Sequence, residues 1–548
     1  MLDTDAVDPR PARSMPKWKR VLKKILMTAA ILAVPLGLFT WHTFFRSVDQ
    51  PDWITRDPEA NFLYGSIGAE NQGGIPYWIV VVLPRIFGDD YLPGPGGYAS
   101  LGLPWEEGKE LPAGFSKKRI GFDRVGFNCA LCHATQYRVD AASKPAIIGA
   151  GSNHTADIQG LLEFFGKSAR DPRFNAETIL TEIDLAYRLS WIDRQIYKYL
   201  LIPITRKRLI QQADDFAWAD HRPRWGPGRD APMNLTKFNF LRLPHDTSVD
   251  NTDFPAIWHL DARVQPGRTW PEQDYSTVAD FSTLKIDPSS VMLMNLAGDT
   301  TSFRSVLIDS ALGLQAENTP FFHQRMRDLE QWLRKVRPPA YPFELSAASQ
   351  AQAVRGEQIF ERECASCHAS GRTNRLGTVI PTAEIGTDPE RTNAWTLEAA
   401  NGANRIVAGF GIQRTPMAKP PVPGYVAPQL DGIWLRGPFL HNGSVPTVRA
   451  LLEPPSCRPT VFHRGYDVLD PDHIGFVSRR CGDPPEPPHA GCPATPVQSG
   501  CIPVESIAGP RGWRYDTRER GNSNAGHAYG SSLDAADKDA LLQFLKRQ

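Results

Sequence analysis

Two pentapeptides hold the chemistry most legible in this chain: Cys129-Ala130-Leu131-Cys132-His133 and Cys364-Ala365-Ser366-Cys367-His368. Two thiols three positions apart can each add to one vinyl group of a porphyrin. A His directly after the second thiol then reaches the iron as its proximal ligand. The spacing predicts two covalently bound c-type haems, with Cys129, Cys132, Cys364 and Cys367 as thioether residues and His133 and His368 as iron ligands. A thioredoxin-type dithiol or half a zinc site also explains Cys-x-x-Cys, but neither needs the adjacent His or a second copy. With 8 Cys and 13 His in 548 residues, two accidental matches are rare.

Each iron has one more axial position, whose occupant decides between electron transfer and chemistry. His527, in Gly521-Asn-Ser-Asn-Ala-Gly-His527, sits just ahead of an amphipathic C-terminal segment. A class I cytochrome c loop can return a distal ligand from there, so His527 is predicted to ligate the His368 iron, with His463 and Met417 next in line. The His133 iron has no comparable candidate. His154 is read as a surface or structural His, or else as a distal residue. An open position is what oxygen or peroxide needs, so the first haem is expected to be the reaction centre. Arg222, Arg224 and Arg229 suit haem propionates, or else form a solvated basic loop. The apolar run Tyr77–Phe87 reads as core, or as the wall of a substrate channel.

The elements that must position these groups follow from periodicity. Ala353, Val354, Ile359 and Phe360 predict a helix over Ala351–Glu361, leading into Cys364. Leu533, Ala536, Ala540, Leu541, Phe544 and Leu545 share one face of a closing helix, with Ser531 and Asp534 as a capping box. A helix before the haem motif and a helix closing the domain resemble the class I cytochrome c fold. The expected fold is therefore mainly α: two class I cytochrome c-like haem domains with long loop-rich insertions, preceded by one transmembrane helix. The boundaries are a basic cytoplasmic tail over 1–24, an anchor over 25–45, an N-terminal haem c domain over 46–340 and a C-terminal cytochrome c domain over 341–548. Arg337-Pro-Pro-Ala-Tyr-Pro342 is the expected linker. A helical block over Ala156–Gln212 is expected after the first motif, followed by a loop-rich stretch.

Residues 25–45 form one predominantly apolar run, about 30 Å long as a helix and so able to cross a bilayer. Seven Lys/Arg in residues 1–24 precede it. The positive-inside rule then places the body outside the cytoplasm, in the periplasm of a bacterial inner membrane. A cleaved signal peptide is the alternative; no clear small-x-small site follows the run. Cys457, Cys481, Cys492 and Cys501 cluster in a Pro/Gly-rich stretch and read as two disulfides of an exported protein; proximity favours 457–481 and 492–501 among three pairings. A composition with 22% charged and 41% hydrophobic residues excludes disorder, and 44 Gly with 48 Pro imply many loops. The net charge of +1 conceals a mildly acidic body without a basic stripe, which argues against nucleic-acid binding.

The segment Leu435-Arg-Gly-Pro-Phe-Leu-His-Asn-Gly-Ser-Val-Pro-Thr447 resembles the P-[YF]-x-H-[ND]-G-S loop of the bacterial di-haem cytochrome c peroxidase superfamily. Its Asn-Gly-Ser-Val-Pro form, with Gly74-Ile-Pro-Tyr-Trp78, Leu83-Pro84 and Leu111-Pro-Ala-Gly-Phe115, is similar to the rubber-oxygenase-like branch. The resemblance implies that His441 lies near the second haem, that His527 is the sixth ligand there, and that the first haem is reactive. It implies an oxidoreductase that uses oxygen on an apolar unsaturated substrate. A peroxidase fed by a small cytochrome or quinol-linked donor, and a plain electron carrier, remain as alternatives. The superfamily's Trp-Asp-Gly motif, whose Trp lies on the path between haems, is absent from this chain. Trp270 and Trp258 are the substitutes expected for that role.

Overall fold

The computed structural model describes residues 17–264, 291–292, 294–300, 303–371, 373–409, 419–420, 422–483, 492, 497–506 and 509–548. Trp270 and Met417 lie outside these residues.

Helix α1 (Lys17–Phe44) is long and apolar enough to cross a membrane, and none of its apolar window is buried in the protein. It starts ahead of the apolar run and absorbs the basic residues from Lys17 to Lys24, which are good helix formers. Past its end, β1 (Ser47–Val48) joins a four-stranded sheet with β2 (Ile75–Pro76), β3 (Phe115–Ile120) and β4 (Phe122–Phe127), in the order β1-β3-β4-β2. The β3–β4 hairpin turns on Gly121 at φ +73°, a left-handed conformation natural to glycine. β4 runs directly into the first Cys-x-x-Cys-His. Asn128 fixes that junction: its Nδ2 donates to the Leu63 and Gly65 carbonyls, and its Oδ1 accepts from the Ala130 N–H.

Helix α2 (Tyr77–Tyr91) buries Ile79, Val80, Val82, Leu83 and Phe87. The expected helical block over Ala156–Gln212 consists of four helices: α3 (Ile158–Arg170), α4 (Ala176–Ala186), α5 (Trp191–Ile196) and α6 (Ile202–Asp215), with a π-helical stretch over Tyr197–Leu201. The breaks have a local cause. Asn175 and Ser190 cap α4 and α5 by accepting from the N–H groups of Thr178 and Asp193, and such side chains favour a helix start over a helix interior. Helices α2 to α6 share one apolar core.

Beyond lie α7 (Phe303–Gly313), α8 (Pro320–Lys335), α9 (Ala347–Glu363), α10 (Leu397–Gly409) and α11 (Ala535–Leu545). α9 and α11 cross at Gly356, where any Cβ would run into the Ala540 carbonyl, and Phe360 and Phe544 pack with ring centroids 5.1 Å apart. α9 is longer at both ends than the predicted Ala351–Glu361. α11 starts differently from the expected capping box. Asp534 is itself the N-cap, accepting from the Asp537 N–H at 2.8 Å, while the Ser531 hydroxyl turns to the Ala528 carbonyl. A second core mixes Phe62, Trp258 and Leu329 with Phe360, Trp434 and Phe544, and so runs through both sides of residue 340. The expected linker is tied into it: the Tyr341 ring packs on Trp434 at 5.7 Å and its hydroxyl donates to the Pro471 carbonyl.

The late cysteines do form two disulfides, but as Cys457–Cys492 and Cys481–Cys501. Nearness in sequence is the wrong guide here. Backbone bonds from Cys481 N to Ile502 O and from Ile502 N to Arg479 O lay the two segments side by side and set Cys481 against Cys501. That leaves Cys492 to fold back on Cys457. Among the described residues no His/Cys/Asp/Glu cluster suits a metal ion by itself.

Candidate functional site

Both Cys-x-x-Cys-His motifs open onto one cavity of about 1640 Å³, lined by Cys129, Cys132, His133, Cys364, Cys367 and His368. These four cysteines stay unpaired while the other four are bridged. The two histidines are held alike. His133 Nδ1 lies 2.9 Å from the Pro255 carbonyl and His368 Nδ1 lies 2.7 Å from the Pro428 carbonyl. A carbonyl only accepts, so each Nδ1 carries the proton and each Nε2 keeps a lone pair for a metal. Burial lowers both imidazole pKa values, that of His133 to about 4, which holds them neutral and ready to ligate.

Across the cavity from His368 stands His527, with ring centroids 6.3 Å apart. Two imidazoles on opposite sides of one metal, each with a bond of about 2 Å and about 1.1 Å more to the ring centre, require about this spacing. His527 Nδ1 is buried without a partner. Burial, helped by the charges of His368 and Arg458, pushes the His527 pKa down to about 3. No sequence signal marked what holds this loop. The Arg458 guanidinium, almost wholly buried, donates to the carbonyls of Asn524 at 2.6 Å, Gly526 at 2.8 Å and His527 at 3.0 Å, and also to Leu451 and Glu453.

His133 has a different outlook. Its ring neighbour is Phe254, at 6.3 Å and edge-on, and among the described residues no histidine ring pairs with it. His154 does not line the cavity. It is buried, stacked on Phe476 at 3.6 Å, and so is structural. His463 also lies off the cavity. His441 lines it, stacked on Tyr425 at 3.8 Å, with its pKa pushed down to about 3 by burial and the Arg391 charge.

Arg222, Arg224 and Arg229 do not serve the cavity. Arg222 donates to the carbonyls of Trp218 and Ser248, Arg224 pairs with Glu163 at 2.5 Å, and Arg229 is sealed against Asn522 and Trp225. The guanidinium groups that do line it are Arg124, Arg208, Arg242, Arg263, Arg391 and Arg436. Arg391 Nε and Nη1 and Arg436 Nε are buried with no partner. Unpaired buried guanidinium nitrogens beside a large cavity suit the carboxylates of a haem, which would satisfy them. The donor set, the cavity and these orphaned groups all fit c-type haem. The run Tyr77–Phe87 is core only; the wall nearest it is made by Ile75 and Pro76.

Trp258 ties the two motifs together. It lies three residues beyond Pro255, the acceptor of His133, and its own carbonyl accepts from Gln429 Nε2 at 2.8 Å, next to Pro428, the acceptor of His368. Its indole Nε1 donates to the Asp431 carbonyl at 2.9 Å, and a side chain on Gly432 would collide with the ring. A Trp, an Asp and a Gly that are apart in sequence thus meet in space.

Residues 424–463 match the profile of a family described as RoxA-like, cytochrome c-like. This segment contains Pro428, Asp431, His441 and Arg458, and it supports a haem-binding cytochrome c domain of the rubber-oxygenase-like kind. The chain is also similar to two uncharacterized proteins of Sinorhizobium fredii (strain NBRC 101917 / NGR234). It is 33% identical to y4iM over 216 residues, covering 35% of this chain and 43% of the relative. To y4iJ it is 26% identical over 273 residues, covering 38% and 41%. The matched stretch spans less than half the length of either relative.

Proposed function

We propose that this chain is a membrane-anchored, periplasmic di-haem c-type cytochrome that activates oxygen at the haem of His133 and oxidises an apolar unsaturated substrate. Residues 46–340 hold the first haem through Cys129, Cys132 and His133. Residues 341–548 hold the second through Cys364, Cys367, His368 and His527. Haem iron supplies oxygen and electron chemistry when bound. The protein's part is positional. Pro255 and Pro428 orient the proximal imidazoles, and Arg263, Arg391 and Arg436 are placed to neutralise propionates. The apolar residues of the cavity keep bulk water away from the first site.

The observation that carries this reading is the asymmetry between the two histidines. His368 faces a second imidazole at 6.3 Å, while among the described residues the ring beside His133 is that of Phe254 and no histidine ring pairs with it. A site with both axial positions filled transfers electrons; a site with one open position can bind oxygen. Trp258 favours a second reading, since a bridge between the motifs suits a peroxidase that draws electrons from the second haem. Ligand titration separates the two. Carbon monoxide and cyanide should bind at the His133 haem and not at the His368 haem. Oxygen uptake with oleate or polyisoprene should then exceed peroxide turnover with a reduced small cytochrome. Fast peroxide turnover without oxygen uptake supports the peroxidase, and two inert haems support a plain carrier.

A further inference from the structure

One opening of the cavity lies beside the end of α1. Gln72, Ile204, Lys207, Arg208 and Gln211 line the cavity and are exposed on this side; Ser366 and Tyr529 are exposed lining residues near the second motif. Arg208 donates to the Gln72 carbonyl at 3.1 Å. Arg124, another lining residue, donates to the Asn71 carbonyl at 3.2 Å and to the Phe44 carbonyl, in the last turn of α1, at 3.1 Å. The Gly121 N–H donates to the Arg46 carbonyl at 2.8 Å, so the β3–β4 hairpin tip is fastened just past the helix. The opening and the exit of α1 therefore share a rim.

The surface next to that rim is apolar and has no partner among the described residues. Trp191 is 76% exposed and Tyr199 69%, with Ile192, Leu200 and Ile204 also exposed. They occupy α5, the π-helical stretch and the first turn of α6. Ile204 belongs both to this patch and to the lining of the cavity, so the patch reaches the rim. Lys198, Lys207 and Arg208 stand among these residues and carry no ion pair among the described residues. Exposed Trp and Tyr beside Lys and Arg that lack carboxylate partners among the described residues suit a membrane interface, where amphipathic rings meet headgroups and cations meet anionic lipid.

We infer that the bilayer holding α1 also covers this face, so that the Trp191–Arg208 surface rests on lipid and the cavity opens toward the membrane. The substrate class that follows is a membrane-borne lipid or isoprenoid chain, which enters without crossing water. The surface also explains why the patch is tolerated, since a monomer in water seldom leaves such an area bare. The inference rests on the proposed role of α1 as an anchor. It does not depend on which reaction the haems perform.

The test uses the full haem-loaded chain in vesicles of phosphatidylethanolamine and phosphatidylglycerol, doped with a phospholipid carrying a diazirine on its acyl chain. After photolysis, mass spectrometry maps the labelled peptides. The expected result is label in α1 and again within 185–208, with α9 unlabelled. Label confined to α1 overturns the inference. So does a protein–protein crosslink through Trp191 or Tyr199 in place of lipid label, which would give the face to a second copy or a partner protein. The variant Trp191→Glu/Tyr199→Glu should lose at least half of the label in 185–208, with label in α1 and the haem absorption unchanged. Persistence of label within 185–208 in a variant with normal haem absorption also overturns it. A chain that labels as expected yet takes up no oxygen retires the oxygenase reading and leaves the membrane contact standing.

Discussion

His527 has φ +45°, a left-handed conformation that a non-glycine residue holds only when its surroundings fix it. Arg458 supplies that constraint through the carbonyls of Asn524, Gly526 and His527. Two outcomes follow for the His368 haem. His527→Ala should turn it from low-spin to high-spin, read by electron paramagnetic resonance, while the His133 haem is unaffected. Arg458→Gln should leave the imidazole in the chain but let the loop drift, giving a mixture of low-spin and high-spin signals and a changed reduction potential. Five buried carbonyls would lose a charged donor, so a stability loss of about 3 kcal/mol is expected in thermal unfolding. A fully low-spin spectrum in Arg458→Gln would show that the loop holds without the clamp.

At the scale of elements, the α9–α11 crossing depends on the absent side chain of Gly356. Gly356→Ala cannot be relieved by a rotamer change, because the obstacle is the Ala540 backbone. The variant should lose about 2 kcal/mol or more of stability and broaden the spectrum of the second haem alone. The disulfide-bearing insertion has its own anchor in Asp470, whose carboxylate accepts from the Ser499 N–H at 2.7 Å, the Ser499 hydroxyl at 2.6 Å and the His473 ring. Burial alone would raise the Asp470 pKa, but these donors outweigh it and hold the group below the ordinary carboxylate range. A folded pKa below the unfolded value of about 3.9 gives stability that is present above that pH and lost as pH falls through the folded pKa. Thermal midpoints measured down a pH series should therefore fall more steeply below about pH 4 for the unaltered protein than for Asp470→Asn.

For the whole molecule, residues of both motifs line one cavity. The denatured chain should weigh more than its sequence by two haems. Each pair, Cys129→Ala/Cys132→Ala and Cys364→Ala/Cys367→Ala, should remove one. A mass with one haem or none would undo the proposed function at its root.

The residues proposed to attach haem stand out in the sequence because covalent chemistry fixes their spacing within five positions. Helices α9 and α11 were legible because an apolar face repeats locally. The long apolar N-terminal helix was legible because length and hydropathy belong to the segment itself. What joins distant parts was not. The disulfide pairing is set by backbone bonds between residues 479–481 and 502, and proximity in sequence misread it. The basic loop around Arg222 looked suited to propionates, yet its guanidinium groups are spent on local carbonyls and carboxylates. Arg263, Arg391 and Arg436, scattered over the chain, line the cavity instead. Trp258 acquires its Asp431 and Gly432 neighbours only across more than 170 residues. Arg458 reaches the His527 loop the same way. Spacing and periodicity record what one stretch of chain can do; which stretches meet is decided by packing that buries groups from both halves together.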